Sequence, residues 1–580
     1  MQAHIDINDV VLRVGAYNRR TRNHTLMQII GLDTEADPQG KVIMVSTSDG
    51  ETYRGDEIPR LFFSRRRANK KYGVWNLKYE EGAFLQHLPR ESLEELRESG
   101  RTAYDGYIYR NIARKMLRIT RGKNAVEIYD IAGFYEMSLE LASTNYLGEH
   151  KIEIATKSFD AEYVREHWAE IARYCVRDAE LAKKLADLIL YKFAQLGVYP
   201  KHLYSFANVA YTYYNATCKI PLMRNIYDNH KPVLQYALNA YAGGKFEVTQ
   251  KGPGRYWEYD IISAYPAEIA DLVDIERAYI VRDKKFRRGA VYGYIFCDLN
   301  IPPGVSSPVP VSRGGVRVYP VGRLQCYITK SEYQYLISHG CDITIHDAYW
   351  LEVGKRIYPF RREVQRLVRL KEAAKTEGRE HDVLVAKKLL NCLYGKFVQL
   401  ILRDGKYEAG RNWNIIYGSI ITANCRVRVT EYQQSYSDVV AVHTDSVIST
   451  SPLPIAPTST LGDMRPECAG DGLILGTGIY QIGGKTKFRG FSTSVDLRAA
   501  IEHGGGELKI TRTRPYSWRE VVFHGWDAAL INQFCELSKN VSLNFDCKRI
   551  WFDDWTKWSE VLSRSVYSSP IPVVQFPGDR

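Results

Sequence analysis

The sequence predicts an α/β multidomain fold, and three observations support this class. A chain of 580 residues with a 45% hydrophobic fraction is long enough for several domains, each with its own core. β-Branched and aromatic runs, such as residues 26–32 and 439–448, are typical of strands. Leucines recur on one face of residues 384–393, as in amphipathic helices. We therefore expect both sheets and helices.

The charge balance favours a polyanionic partner. The net charge is +12, the sequence pI is near 9.0, and 41 tyrosines offer rings that can stack on nucleic-acid bases. A basic surface that only faces solvent is the alternative, because many basic proteins bind no nucleic acid.

Cysteine usage and hydropathy bear on the compartment. The ten cysteines include no C-x-x-C pair, which argues against a zinc ribbon or a disulfide framework and favours a reducing compartment. No apolar run approaches the roughly 20 residues of a membrane span, and the first residues lack the order of a signal peptide. We expect a soluble cytoplasmic protein without a membrane partner.

Asp260 is the first candidate functional residue, because it ends an apolar strand pattern. It opens the run DIISAYP at residues 260–266, where Pro266 should stop the strand and a turn should begin. A carboxylate at a strand end can hold a cation, although accepting turn hydrogen bonds is the simpler alternative.

A helix with a polar face is predicted at residues 387–396, KKLLNCLYGK. Lys387, Asn391 and Tyr394 are spaced i, i+4, i+7 and therefore share one helical face. A cation, an amide and an aromatic ring on one stripe suit a phosphate, a base pair and a sugar. The alternative is a surface helix that ends at Gly395 with solvated lysines.

A second carboxylate lies in residues 439–448, VVAVHTDSVI. Two β-branched runs joined by a short polar link predict a hairpin with Asp445 at its tip. Asp260 and Asp445 each end a strand pattern, so two strands of one sheet would bring both carboxylates to one place.

These three segments, in this order, resemble motifs A, B and C of family B DNA polymerases. DIISAYP is similar to D-x-x-S-L-Y-P, KKLLNCLYG to K-x-x-x-N-S-x-Y-G, and HTDS to D-T-D-S. His443 stands where the family has the first Asp of motif C, whereas Asp445 keeps the second. The resemblance implies a right-hand polymerase body of palm, fingers and thumb. A neutral His443 could bind the primer backbone, because Mg²⁺ prefers oxygen ligands.

The resemblance also implies a two-metal site and a nucleotide pocket. Asp260, Asp445 and the Ile261 carbonyl would hold two Mg²⁺, which Mn²⁺ could replace. Lys371 and Lys387 would bind the triphosphate. Tyr265 would lie under the sugar and reject a 2′-hydroxyl. Asn391 and Tyr394 would shape the base-pair pocket.

Further motifs of the family predict contacts to primer or template DNA. YAGG at residues 241–244 resembles the Y-x-G-G/A link, and TANCR at residues 422–426 resembles T-x-x-G/A-R. The lysine of the family's K-x-Y motif is missing at Gly478, and the basic strand that follows could compensate. The residues predicted to contact DNA are Tyr241, Gly243, Ser263, Arg426, Lys485, Lys487 and Arg489.

The amino-terminal part resembles the ribonuclease-H-like 3′-5′ exonuclease domain of the same family. Asp33 and Glu35 end an apolar strand pattern and, two residues apart, project to one face. Tyr174 and Asp178 match Y-x-x-x-D, so the phenol could hold the attacking water beside a metal-bound carboxylate. Lys151 falls in the lysine-containing element that precedes this motif. The alternative is surface carboxylates and an ordinary packed helix.

The middle exonuclease motif departs from the family pattern. In WNLKYEE, residues 75–81, Glu80 stands where the family has Asp. The longer arm moves the carboxylate by about one methylene, and a misplacement of about 1 Å can lower a rate ~100-fold, so proofreading could be weak. Glu81 is a neighbouring candidate and Asp105 a more distant one. The implied exonuclease metal ligands are Asp33, Glu35, Glu80 and Asp178.

The resemblance divides the chain into segments. They are an exonuclease-like domain at 1–200, palm at 201–275 and 417–496, an insertion at 276–355 that resembles the terminal-protein region, fingers at 356–398, a short second insertion at 399–416, and thumb at 497–580. The short chain and the first insertion fit the protein-primed branch, which serves phages, archaeal viruses and linear plasmids. The trimmed second insertion predicts weaker strand displacement or processivity.

The prediction that follows is a DNA-directed DNA polymerase, primed by a terminal protein, with a 3′-5′ exonuclease. Its partners would be primer–template DNA, dNTPs and the terminal protein, and we expect a monomer in the cytoplasm, that of the host if the protein is viral. One alternative is a nucleic-acid-primed or primer-independent polymerase of the same family. The other, suggested by His443 and Glu80, is an inactive polymerase-derived DNA-binding factor.

Overall fold

The computed structural model describes residues 5–12, 25–155, 159–223, 231–403, 405–490, 495–504 and 507–573. Its amino-terminal part contains strands β1 (Val10–Leu12), β2 (Ile30–Ala36), β3 (Val42–Thr47), β4 (Thr52–Arg54), β5 (Lys71–Val74), β6 (Arg101–Tyr104), β7 (Tyr107–Ile112), β8 (Met116–Arg121) and β9 (Asn124–Asp130). The helices of this part are α1 (Ile58–Phe63), α2 (Leu77–Leu85), α3 (Arg90–Ser99), α4 (Ala132–Tyr135), α5 (Leu139–Leu147) and α6 (Ala161–Gln195).

An eight-stranded mixed sheet forms the amino-terminal domain. Its order is β4-β3-β2-β5-β9-β8-β7-β6, and the pairs β2–β5 and β5–β9 are parallel. Asp160 caps α6 by accepting hydrogen bonds from two backbone N–H groups of its first turn. The long helix packs against β2, which carries Asp33 and Glu35. This packing sets the carboxylates of strand and helix face to face.

Residues 206–409 contribute the first strands of a central sheet, a separate insertion and a helical hairpin. The strands are β10 (Phe246–Val248), β11 (Gln250–Ile261), β12 (Tyr279–Arg282), β13 (Tyr292–Ile301), β14 (Val311–Arg313), β15 (Val316–Val318), β16 (Val321–Thr329), β17 (Asp342–Glu352), β18 (Leu400–Arg403) and β19 (Lys406–Ala409). The helices are α7 (Phe206–Thr217), α8 (Lys231–Ala240), α9 (Ala264–Ala270), α10 (Lys330–Ser338), α11 (Arg361–Thr376), α12 (Glu380–Cys392) and α13 (Tyr394–Phe397).

The last part completes the central sheet and adds a long hairpin. Its strands are β20 (Val439–His443), β21 (Ser446–Ser449), β22 (Met464–Gly476), β23 (Ile479–Ile482), β24 (Lys485–Phe488), β25 (Leu508–Pro515), β26 (Phe534–Val541), β27 (Ile550–Trp551), β28 (Val566–Ser569) and β29 (Pro572–Val573). Its helices are α14 (Ile415–Ser435), α15 (Leu497–His503), α16 (Trp518–His524) and α17 (Trp558–Val561).

The central sheet has the order β10-β20-β21-β11-β22-β23-β24, with antiparallel neighbours throughout this path. Helix α14 packs against β20 and β21 as well as against α9. Strands β11 and β21 are neighbours at the middle of the sheet, so the sheet itself brings the two predicted catalytic segments together.

The strand that carries Asp260 ends differently from the sequence prediction. β11 runs to Ile261, and Ser263 adopts a left-handed conformation with φ of 48°. Pro266 lies in the first turn of α9, where a missing N–H costs no helical hydrogen bond. The proline therefore belongs to a helix start and does not itself stop the strand.

Long-range strand pairings tie distant segments together. β1 pairs in parallel with β19 of the short hairpin β18–β19. The insertion sheet has the order β12-β17-β13-β16-β29, and its last pair, β16–β29, is parallel. The carboxyl-terminal strand thus joins the insertion. Among the residues described, no helix is both long and apolar enough to cross a membrane.

Hairpin β25–β26 reaches the amino-terminal domain. Residues 516–533, the hairpin tip, connect its two strands. Trp518 and Ile531 of the tip are buried in the same apolar cluster as Leu93 and Leu96 of α3. A segment predicted to be thumb therefore has its tip in the core of the exonuclease-like domain.

Candidate active sites

Strand pairing brings Asp260 and Asp445 side by side. Asp260 of β11 pairs with Ser446, the residue after Asp445. The backbone N–H of Ile261 donates a hydrogen bond to the Asp445 carbonyl oxygen at 2.8 Å. Thr444, in the turn between β20 and β21, has φ of 63°, a left-handed conformation that two-residue hairpin loops use. The predicted hairpin with Asp445 in its turn is confirmed.

The pKa values of both carboxyl groups are raised, and the charge of Asp445 contributes to the shift at Asp260. Burial, followed by repulsion from Asp445, raises the pKa of Asp260 to about 7. Burial also raises the pKa of Asp445. A divalent cation between them would remove this repulsion, and carboxylate oxygens are ligands that Mg²⁺ prefers. The donor set therefore fits the predicted metal site.

The predicted nucleotide-binding residues surround the turn after β11. Lys371 of α11 brings its Nζ within 3.5 Å of the Ser263 Oγ. The Tyr265 and Tyr394 rings lie 4.7 Å apart, and the Tyr394 hydroxyl is hydrogen-bonded to the Tyr241 hydroxyl at 2.7 Å. A cation and three aromatic rings thus lie around the start of α9, which follows the strand that carries Asp260.

The polar face of α12 is shorter than predicted. Lys387 and Asn391 are exposed on this helix, but the helix ends at Cys392 and Tyr394 starts α13. A bend at the buried Leu393 separates the two helices. The i+7 spacing therefore runs past the end of α12, although Leu393 between the two helices keeps helical dihedral angles, φ of −69° and ψ of −41°.

Arg426 was predicted to contact DNA, and the structure contradicts this. Its side chain is 0% exposed. The guanidinium donates to the carbonyl oxygens of Ala242 and Gly243 at 2.7 and 3.0 Å and forms an ion pair with Glu332 at 2.6 Å. Arg426 instead fixes the backbone of the YAGG link against the insertion. The motif shows the spacing of the arginine but not that nearly every face of α14 is covered.

The basic side chains of β24 and of the residue after it have different environments. Lys485 is committed to a partly buried ion pair with Glu258 at 2.7 Å, so it is not an open phosphate site. Lys487 and Arg489 are exposed, and the Arg489 guanidinium lies over the Phe246 ring at 5.1 Å. Contact of these two exposed side chains with DNA stays a prediction.

A large cavity lies beside this strand, between palm, insertion and thumb segments. Its volume is about 1020 Å³. The walls include residues 241–244 of the YAGG link, hairpin β14–β15, Arg489 and residues 545–548. Lys548 is a cation that sequence reasoning missed; its Nζ donates to the Phe246 carbonyl oxygen at 2.8 Å. No motif surrounds it, so only the fold brings it to this wall.

The sequence suggested that His443 could bind the primer backbone. The structure argues against this, because His443 is only 7% exposed. Its ring stacks on Tyr480 with centroids 4.9 Å apart, and its Nε2 accepts a hydrogen bond from the Gly478 N–H at 3.3 Å. Burial lowers the pKa of His443 to about 4, so the ring is neutral. Its environment explains why imidazole can replace a carboxylate here.

A second group of carboxylates lies where β2, α2 and α6 meet. Carboxylate atoms of Asp33 and Glu35 and the thiol of Cys175 lie within 4.8 Å of one another. Glu80 is 3% exposed and accepts a hydrogen bond from the Thr34 hydroxyl at 2.5 Å. The carboxylates fit a hard cation such as Mg²⁺, whereas a thiol does not.

Electrostatics link the predicted exonuclease residues. Burial, then repulsion from Asp178 and from the other two carboxylates of this group, raises the pKa of Asp33. Lys151 forms an ion pair with Asp178 at 2.5 Å, and its ammonium lies 4.9 Å from the centre of the Tyr174 ring. The structure thus gathers the predicted tyrosine, lysine and carboxylates around one point.

The alternatives to Glu80 have other environments. Glu81 is 2% exposed and accepts hydrogen bonds from the Trp518 indole at 3.0 Å and from the Asn111 amide at 2.7 Å. Asp105 lies in the exposed turn between β6 and β7. Among the three candidates, Glu80 therefore joins the carboxylate group.

The fold matches known polymerase structures. Phi29 DNA polymerase in an orthorhombic crystal form aligns with a TM-score of 0.65 and 14% identity over 89% of this chain and 100% of that chain. Its complex with primer-template DNA and incoming nucleotide substrates gives the same values. A post-translocation binary complex with primer-template DNA gives a TM-score of 0.61 at 14% identity, again over 89% and 100% of the two chains.

Identity this low shows a shared fold: an exonuclease-type domain joined to palm, fingers and thumb. No curated protein sequence matches the chain. A family model, described as DNA polymerase type B, organellar and viral, matches residues 116–451, which is more than half of the sequence. The chain belongs to the organellar and viral type B DNA polymerases.

Proposed function

We propose that the protein extends a primer on a DNA template by nucleotidyl transfer at Asp260 and Asp445. The adjacency of these two carboxylates on paired strands is the observation that carries the proposal. Two Mg²⁺ bound there, or Mn²⁺ in their place, would activate the primer hydroxyl and stabilise the leaving pyrophosphate. The Phi29 complexes with primer-template DNA and incoming nucleotides support DNA and dNTPs as partners.

The surrounding side chains would bind and align the nucleotide. Lys371 and Lys387 would neutralise the triphosphate as charge moves to the pyrophosphate. Tyr265 would lie under the sugar and exclude a 2′-hydroxyl, and its packing against Tyr394 supports this by limiting ring movement. Asn391, exposed on the same helix as Lys387, would contact the new base pair.

We also propose 3′-5′ proofreading in the amino-terminal domain. Its metal ligands would be Asp33, Glu35, Glu80 and Asp178. Tyr174 would orient the attacking water, while Lys151 would hold the Asp178 carboxylate by their ion pair. The mutual repulsion of the four carboxylates supports a cation site, because a bound cation would relieve the repulsion that Lys151 offsets only in part.

Initiation on a terminal protein is the third part of the proposal. The insertion at residues 276–355 builds a sheet separate from the central one, which supports a docking module. Incubation with labelled dNTP and candidate terminal proteins tests it: protein priming leaves a labelled nucleotide covalently attached to a partner hydroxyl. Label that appears only on extended nucleic-acid primers would favour the alternative, a nucleic-acid-primed enzyme.

Extension of a primed template with Mg²⁺ tests the main proposal. We expect Asp445→Ala to lower nucleotide addition on the order of a thousandfold while DNA binding persists. Asp471→Ala is the matched control, because Asp471 is an exposed carboxylate on β22 of the same sheet. A wild-type protein that binds primed DNA but never extends it would instead be the inactive DNA-binding factor.

Degradation of a 5′-labelled single strand tests proofreading separately. We expect Glu80→Gln to lower the rate ~100-fold, because the metal loses a charged ligand, while primer extension is unchanged. Equal degradation by Glu80→Gln and wild type would exclude the proposed exonuclease ligand set.

A further inference from the structure

One turn of the central sheet is hydrogen-bonded from two sides. The turn between β22 and β23 contains Thr477 and Gly478. On the motif C side, His443 Nε2 accepts from the Gly478 N–H at 3.3 Å. On the thumb side, Asp546 Oδ2 accepts from the Thr477 N–H at 2.7 Å and from its hydroxyl at 2.5 Å. The turn therefore joins the catalytic hairpin to the thumb segment.

Unusual φ angles and close packing restrict the backbone of this turn. Gly476 and Gly478 have φ of 153° and 79°, conformations that residues with a side chain rarely adopt. A Cβ at Gly476 would lie 2.9 Å from the Phe545 ring and 3.0 Å from the Asp546 Cβ. Close packing of the thumb segment thus fixes one side of the turn, and His443 fixes the other.

The His443 ring is itself held in place. It stacks on Tyr480 and meets the edge of Phe246 at 5.8 Å between centroids. The Tyr480 hydroxyl donates to Glu258 Oε1 at 2.9 Å, which fixes the ring on which His443 lies. His443 can therefore act on DNA only through the residues that it positions.

Two cations depend on the position of this turn. The Arg489 N–H donates to the Gly478 carbonyl oxygen at 2.9 Å, and the Arg489 stem occupies the space that a side chain at Gly478 would need. The Arg489 guanidinium then lies over Phe246, whose carbonyl oxygen accepts from Lys548 at 2.8 Å. Both cations line the cavity of about 1020 Å³.

We propose that His443 is a positioning residue that holds the Thr477–Gly478 turn so that Arg489 and Lys548 bind one stretch of DNA-backbone phosphates. The inference rests on the proposed polymerase function and assigns a DNA-backbone site to it. Glycine at position 478 leaves space for the Arg489 stem, and the two cations come from the residue after β24 and from position 548. A neutral acceptor at position 443 serves better than a carboxylate, which would attract these cations inward.

Primer–template dissociation constants measured at several salt concentrations test this proposal. His443→Phe keeps the ring but removes the acceptor, which leaves the Gly478 N–H without its partner. We expect binding about tenfold weaker and a salt slope smaller by about one, with the KM for dNTP unchanged. His443→Asn keeps a neutral acceptor and should bind nearly as wild type does. Lys548→Met should lower the slope directly.

A double-mutant cycle separates positioning from general damage. Arg489→Met should weaken primer–template binding in the wild type but have little further effect in His443→Phe, because the arginine is already misplaced there. Thermal unfolding confirms that each variant is folded. Additive losses, or wild-type binding and slope in His443→Phe, would overturn the proposal. Wild-type protein that does not extend primers would instead remove the polymerase function on which it rests.

Discussion

Asp33 is partly buried and has three neighbouring carboxyl groups of the same charge. Its pKa is raised, so the folded protein holds this proton more tightly than the unfolded chain does. Stability in the absence of metal is then greatest at pH values below about 4 for this group alone and falls as pH rises. The cluster costs stability at neutral pH, which is what a site reserved for cations requires.

Asp33→Asn should stabilise the metal-free protein at pH 8, by on the order of 1 kcal/mol, because it removes one repelling charge. It should also reduce the increase in Tm that Mg²⁺ causes in the wild type. Thermal unfolding in chelator and in Mg²⁺ measures both effects. At pH 5 the gain should be smaller than at pH 8, because the raised pKa of Asp33 leaves more of the wild-type carboxyl protonated at the lower pH. A variant less stable than wild type at both pH values would contradict this account.

Single residues also show what sequence can and cannot predict. Asp260 and Asp445 follow from strand patterns and motif order, because a carboxylate at a strand end keeps its place when the sheet forms. Arg426 matches its motif equally well, yet lies under the YAGG link. Motif spacing does not report burial, and Lys548 belongs to no motif at all.

Among the elements, the hairpin tip at residues 516–533 connects the thumb to α2. The indole of Trp518 donates to Glu81, and the Asn532 amide donates to the Tyr79 carbonyl oxygen at 3.0 Å. Glu80 lies between these two anchored positions. The tip therefore sets where α2 presents Glu80 to the carboxylate group.

Trp518→Phe keeps an aromatic ring but leaves Glu81 with one donor fewer in a buried place. We expect a loss of about tenfold in degradation of single-stranded DNA, because α2 is less firmly placed, and unchanged primer extension. Phe523→Ala is the matched control, because Phe523 lies on the same helix α16 but is 67% exposed. Equal losses in both reactions would indicate general destabilisation.

Local sequence signals indicate the end of a helix where residues at that end provide the stabilising contacts themselves. The capping box of Thr329 and Glu332, a T-x-x-E pattern visible in the sequence, begins α10. They were less exact at residues 387–396, where one helix was predicted but α12 ends at Cys392 and α13 begins at Tyr394. The docking of the hairpin tip has no local signal, because its partner surface lies more than 400 residues earlier.

At the scale of the whole molecule, strands from the end of the described chain pair with sheets formed by much earlier residues. β29 adds to the insertion sheet, and β28 pairs with β11 of the central sheet. Segments predicted to be palm, insertion and thumb line the large cavity. In contrast, the strands within residues 399–416 are the short β18 and β19. Asp404, which lies between these strands in the sequence, is outside the described residues.

This short second insertion predicts limited strand displacement. Extension from a primer should proceed to a downstream duplex and slow there, because the hairpin β18–β19 is too small to hold strands apart. Extension on single-stranded template and on template with a blocking strand should be compared under the same conditions. Equal extension on both templates, without helper proteins, would contradict the prediction.

The central claim is that Asp260 and Asp445 share divalent cations. Crystals of the protein with primer–template DNA, an incoming dNTP and Mn²⁺ test it by anomalous scattering. We expect Mn²⁺ peaks about 2.1–2.2 Å from carboxylate oxygens of both residues, in two sites roughly 3.5–4 Å apart. An ordered ternary complex in which Mn²⁺ binds elsewhere and neither carboxylate is a ligand would contradict the account.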